Sequence, residues 1–163
     1  MILPDLKPFF DWLQIHPHLG GLITCFIAFL ECLVLIGFLV PGTVFMTAIG
    51  TLIGIGVLPF ASSTLWAIGG AIAGDVLNFW IGRHYHHRTG DLWLFRRYPS
   101  LLQKGKAFFD THGGKSIFFG RFIGPIRAIL PFIAGMVLMP SRQFLIADII
   151  SAIAWAPIYM LPG

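Results

Sequence analysis

Charge is what this chain has least of. Only 11% of its 163 residues are Asp, Glu, Lys or Arg, against about 25% in a soluble globular domain. From Cys32 to Gly74 there are 43 residues without one charge, which leaves that stretch no means of presenting an ordinary solvated face. Cysteine is scarce too. Cys25 and Cys32 are seven residues apart, about 10 Å along a helix axis and beyond the roughly 7 Å Cα separation of a disulfide. They read as small apolar residues. The chain also lacks a nucleophile elbow, a phosphate-binding glycine loop and a zinc-ligand spacing, so it is not read as an enzyme and no cofactor is implied. MILPDLKPFFDW has acids and prolines where a secretory signal carries basic residues, and no cleavable leader is expected.

What is present is apolar. Hydrophobic residues make up 56% of the chain and mean hydropathy is +0.82. An all-α, polytopic integral membrane protein is expected. Nineteen glycines and eleven prolines suit short, broken, closely packed helices.

Residues 1–19, with Pro4, Pro8 and Pro17 among aromatics, form an amphipathic segment expected to lie in the interface. The membrane domain follows over 20–163. Its first half, 20–82, begins with an apolar run at 20–40 long enough to span. As one helix the uncharged stretch 32–74 would be about 65 Å long, so it is divided, at Pro41-Gly42 and again at 57–59. The piece between is short for a span and suits a re-entrant arm. Residues 60–82 form a full span. Gly50/Gly54, Gly70/Gly74 and Gly120/Gly124 are spaced for close helix approach.

Residues 83–115 are a polar loop. Arg83, Arg88, Arg96, Arg97, Lys104, Lys106 and Lys115 face only Asp91 and Asp110 there. The positive-inside rule makes this loop cytoplasmic, which accounts for the basic charge without nucleic acid. His84, His86 and His87 read as solvated, since no ligand spacing accompanies them. A surface helix is expected from Ser100, as N-cap with Gln103, to Gly113-Gly114.

The second half, 116–163, holds the densest signal. Residues 116–139, SIFFGRFIGPIRAILPFIAGMVLM, are apolar but contain Arg121, Arg127, Pro125 and Pro131. Proline removes a backbone donor and clashes with the preceding turn. The segment is therefore expected to enter the bilayer, break at 125 and 131, and turn back, with Gly120, Gly124 and Gly135 contributing to the hairpin as Pro41 and Gly42 do in the first half. A last helix starts at Ser141, and the chain stops at 161–163 inside apolar sequence, as a piece of a longer protein would. Each half has an apolar arm, a break, a second arm and a full helix, the plan of a pseudo-inverted repeat around a midplane site.

Five charged residues fall inside this frame. Glu31, within an apolar stretch, is a candidate for proton or charge coupling; pairing with an arginine for assembly is the plainer alternative. Asp75 and Asp148 are further coupling candidates, or solvated carboxylates near helix ends. Arg121 and Arg127 carry fixed charge and a planar fork suited to phosphate. Six residues apart, they diverge by about 120° on a straight helix but converge across a break at Pro125. Snorkelling or pairing with Glu31 and Asp75 explains them equally.

The run Phe119-Gly120-Arg121-Phe122, followed by Arg127, Pro131 and Ala134-Gly135, resembles the DedA family of bacterial inner-membrane proteins. So do Glu31 ten residues before Pro41-Gly42, Gly74-Asp75 ahead of Gly82-Arg83, and the polar residue and Trp at Asp148 and Trp155. The resemblance covers about 20–163. It implies two re-entrant hairpins, a fold shared with scramblases of the VTT type. It also implies translocation of a lipid such as undecaprenyl phosphate or a phospholipid, coupled to the proton-motive force. The membrane acid and the essential arginines then match Glu31, Arg121 and Arg127. Two departures stand out: Thr43 occupies the position of a second acid, and one further hydrophobic helix is missing. Some relatives continue into a lipid phosphatase domain.

The expected function is lipid transport in the bacterial inner membrane, with membrane lipids and a proton gradient as partners, and a homo-oligomer compatible with it. A proton-coupled exporter of small cations, the membrane half of a lipid phosphatase, and a non-transporting assembly module are the alternatives.

Overall fold

A computed structural model of the chain describes residues 7–33, 42–88, 93–123 and 126–161. Among them the regular elements are all helical: α1 (Lys7–Ile15), α2 (Pro17–Cys32), α3 (Gly42–Gly54), α4 (Phe60–His84), α5 (Trp93–Arg97), α6 (Pro99–His112), α7 (Lys115–Gly120), α8 (Ile126–Met136) and α9 (Ser141–Met160). Two of these, α4 and α9, are long and apolar enough to cross a membrane. They are the helices expected at 60–82 and from Ser141.

The axis of the bundle is α4, which packs most extensively on α2 and α8 and then on α9. Ser63, Ala67, Gly70, Ala71, Gly74 and Asn78 are buried along it, small side chains at helical spacing. Backbones can therefore touch. A Cβ on Gly82 would collide with the Phe132 carbonyl of α8, and a Cβ on Gly135 of α8 with the Phe79 carbonyl of α4. That reciprocal contact is the close approach small residues allow in lipid. The rings of Phe79 and Phe144 stack with centroids 4.3 Å apart, joining α4 to α9.

The helix ends have local causes. After α3, Gly56 at φ 80° reverses the chain, with Val57 N–H on the Leu52 carbonyl and Gly56 N–H on Ile53. That is a Schellman turn. Pro59, in extended backbone, precedes α4. The same pattern closes α8: Leu138 at φ 56°, Met139 N–H on Ala134, Leu138 N–H on Gly135, then Pro140 ahead of α9. Gly113 at φ 59° ends α6, as expected.

Several expectations need correction. The apolar run at 20–40 is not one helix: α2 ends at Cys32 and Leu33 is extended. The Asn78 amide donates to the Cys32 carbonyl at 2.5 Å, and so takes one of the carbonyls a helix end leaves unpaired. Ser100 does not cap α6, which begins at Pro99 with Tyr98 before it and no side-chain cap. Pro131 does not break the chain, because it lies inside α8. Its missing N–H removes one bond near the helix start, and contact of the next turns with α4 holds the helix together. Gly135 is likewise a packing residue and not a break. Gly120 does end α7, a turn follows at 121–123, and Gly42 opens α3. Pro41, Gly124 and Pro125 lie outside the described residues.

The surface is the reverse of a soluble protein's. Leu65, Phe26, Trp80, Ile146 and Ile153 are exposed, whereas Glu31, Asp75, Arg121 and Asp148 are buried. Apolar exterior on this scale is an aggregation hazard in water and the ordinary condition of a helix bundle in lipid.

Candidate functional site

The five charged residues singled out in the sequence meet inside the bundle. Glu31 comes from the last turn of α2, Asp75 from the middle of α4, Arg121 from the turn after α7, Arg127 from the first turn of α8, and Asp148 from α9. Arg127 Nη2 donates to Glu31 Oε1. Arg121 Nη2 donates to Asp75 Oδ2 and, at 2.5 Å, to Asp148 Oδ1. Two residues 46 and 27 positions away thus hold one guanidinium. The reading of Asp75 and Asp148 as solvated carboxylates near helix ends is therefore wrong. Both lie well inside their helices, and Asp148 is 0% exposed.

Helix dipoles do not explain the second pair. Glu31 sits at the negative end of α2 and Arg127 at the positive end of α8. Each is disfavoured by its own helix, so each depends on the other.

Trp155 and Asn78 complete the site. Trp155 lies seven residues, two turns, beyond Asp148 on α9 and so shares its face. Its ring has the Arg121 guanidinium 5.9 Å and the Arg127 guanidinium 5.3 Å from its centre, within cation–π range. Asn78, one turn after Asp75, donates to Cys32 and, at 3.4 Å, to the Ala128 carbonyl, tying α2 and α8 to α4. Sequence reasoning gave neither a role. The available signal was helical spacing: i+3 from Asp75 and i+7 from Asp148.

A cavity of about 10 Å³ lies among Cys32, Asp75, Arg121, Arg127, Ala128 and Trp155. That is room for about one water and not for a phosphate. Around it the polar groups are incompletely used. Arg121 Nη1, Trp155 Nε1, Glu31 Oε2 and Asp148 Oδ2 are buried without a hydrogen-bond partner among the described residues. Buried polar atoms are rarely left so. The arrangement has two donors to spare, and two arginines facing three carboxylates.

Comparison with known proteins finds relatives named as membrane proteins. Residues 40–163 match the VTT domain. The inner membrane protein YabI of Escherichia coli is 40% identical over 137 residues, 84% of this chain and 54% of that protein. A membrane protein of Buchnera aphidicola from Schizaphis graminum is 39% identical over 142 residues, 87% of this chain and 56% of its own length. The protein DedA of Escherichia coli is 36% identical over 96 residues, 57% of this chain and 43% of that protein. This chain spans about half the length of these relatives. No solved structure matches it. With its polar centre, apolar exterior and a domain match over three quarters of its length, the chain belongs to the DedA family of VTT-domain membrane proteins.

Proposed function

We propose that this chain moves a phosphate-bearing lipid across the bacterial inner membrane, with Arg121 and Arg127 as the phosphate-binding residues. The observation that carries the reading is their placement: two guanidiniums from one short segment converge on the same cavity and the same indole ring. Arginine offers a fixed charge and a planar fork to phosphate, and such groups inside a membrane domain mark substrate paths. Glu31, Asp75 and Asp148 occupy the arginines while no lipid is bound. The lipid phosphate exchanges places with them, and Glu31, the sole acid on Arg127 among the described residues, is the first displaced. A proton taken up by a displaced acid would couple movement to a proton gradient. In this reading α3 and α7–α8 are the arms of two re-entrant hairpins related by an inverted repeat, and the basic loop is cytoplasmic. The chain acts as a transporter, not an enzyme.

The test is lipid flux in reconstituted vesicles carrying fluorescent anionic and zwitterionic lipids. Arg121→Ala and Arg127→Ala are expected to abolish flux while still inserting. Parental flux from either variant would remove that residue's phosphate role. The excess of carboxylates over arginines favours one second reading, proton-coupled export of small cations. Drug efflux driven by a pH gradient, with no lipid movement, would select it.

A further inference from the structure

Apart from the inner cluster, a concave surface with charge at one end lies between α7 and α9. It is a groove of about 360 Å³, within the size range of ligand sites. One wall is a strip of α9. Gln143, Ile146 and Ile150 line it, spaced i, i+3 and i+7 on one face and covering about 10 Å. The other wall is Lys115 and Phe118 of α7, three apart and so neighbours on that helix. Ile146 is 61% and Ile150 54% exposed. Asp148, on the opposite side of α9, is turned inward to Arg121, and the groove shares no lining residue with the inner cavity.

Polarity is confined to one end. Lys115 and Gln143 stand in the first turns of their helices. Arg83 reaches the same end, its Nη1 donating at 3.4 Å to the Met139 carbonyl and to Ser141 Oγ. Among the described residues neither Lys115 nor Arg83 is in an ion pair, whereas Arg121 and Arg127 of the inner cluster are both paired. Unpaired cations at the head of an apolar trough complement one molecule in a membrane, an anionic lipid. Basic pockets between helices at the membrane surface bind lipid head groups in this way. A free phosphate would leave the isoleucine strip uncovered.

We propose that this groove binds one anionic phospholipid, head group at Lys115 and Arg83, one acyl chain along Ile146 and Ile150. The site is independent of transport through the inner cluster. Native mass spectrometry of the full chain in mild detergent tests it, titrating phosphatidylglycerol and phosphatidylcholine with identical chains. The parent is expected to hold phosphatidylglycerol at least about fivefold more tightly, the effect of roughly one basic residue at a membrane surface. Lys115→Gln should weaken phosphatidylglycerol about fivefold and leave phosphatidylcholine unchanged. Ile146→Trp, which fills the trough, should weaken both lipids. Lys106→Gln, on the exposed face of α6, should change neither. Equal binding of the two lipids by the parent, unchanged binding in Ile146→Trp, or an equal effect of Lys106→Gln would overturn the proposal. A photoactivatable phosphatidylglycerol on the unmutated chain gives a check that needs no folded variant. Attachment concentrated at 143–150 supports the site, and attachment spread evenly over α4 and α9 refutes it.

Discussion

Among the described residues, Asp148 has one carboxylate oxygen on Arg121 and the other buried without a hydrogen-bond partner, and Glu31 repeats that division on Arg127. Half-satisfied buried acids stay in place only because a fixed positive charge faces them. Glu31→Gln and Arg127→Met should therefore each lower stability by about 3–5 kcal/mol. The double variant should fall by less than the sum, with about 1–3 kcal/mol of coupling. Denaturant titrations of the four proteins in detergent micelles measure it, and strict additivity would show that the pair does not interact. Trp155 separates ring from donor. Trp155→Phe keeps an aromatic face against both guanidiniums and deletes the indole N–H. Stability should change by less than about 1 kcal/mol, while lipid flux below saturation drops about tenfold, the scale of one hydrogen bond to a charged group. Unaltered flux would exclude the indole as a phosphate donor.

The two Schellman turns differ in one choice. Where α3 ends, the left-handed position is Gly56; where α8 ends, it is Leu138. A branched side chain in that conformation costs about 1–2 kcal/mol, partly offset by the looser unfolded chain that glycine would bring. Leu138→Gly is expected to raise the stability of the bundle by about 0.5–1 kcal/mol, read as a higher melting temperature. The contact between α4 and α8 has no such slack. Gly82→Ala drives a methyl into a carbonyl of the facing backbone and should lower stability by about 1–3 kcal/mol. A neutral result would mean that the helices can separate without loss.

For the whole molecule, the basic stretch defines a side. If residues 83–115 face the cytoplasm, Lys106→Cys in a chain with Cys25 and Cys32 replaced by Ala should react with an impermeant maleimide only after cells are opened. Labelling of intact cells would invert the topology. Much of this plan was legible from the sequence. Pro59 and Pro140 announce the helices that follow them, and the lengths of those apolar runs define α4 and α9. What failed was whatever depends on a distant partner. No glycine or proline at Cys32-Leu33 announces the end of α2, and the Asn78 amide that takes the Cys32 carbonyl comes from 46 residues downstream. Pro131 signals a break that contact with α4 overrides. Asp75 and Asp148 look like surface acids until Arg121, from the turn after α7, is brought to both. The charged residues themselves could be picked out one by one, since charge in an apolar frame is conspicuous, and pairing between arginines and acids is one of the readings open; which acid meets which arginine could not be told.

Glu31 and Arg127 are separated by 96 residues. At about 5–20 residues per second of synthesis, the acid leaves the ribosome on the order of ten seconds before its counter-ion exists. Throughout that interval α2 carries an uncompensated carboxylate at its end, and the insertion machinery must shelter it or leave it at the membrane edge. Completion of the charged cluster is thus a late event, timed by the synthesis of Arg127 and Asp148. A ribosome-bound chain halted before residue 127 should be the form most readily captured by chaperones and membrane proteases.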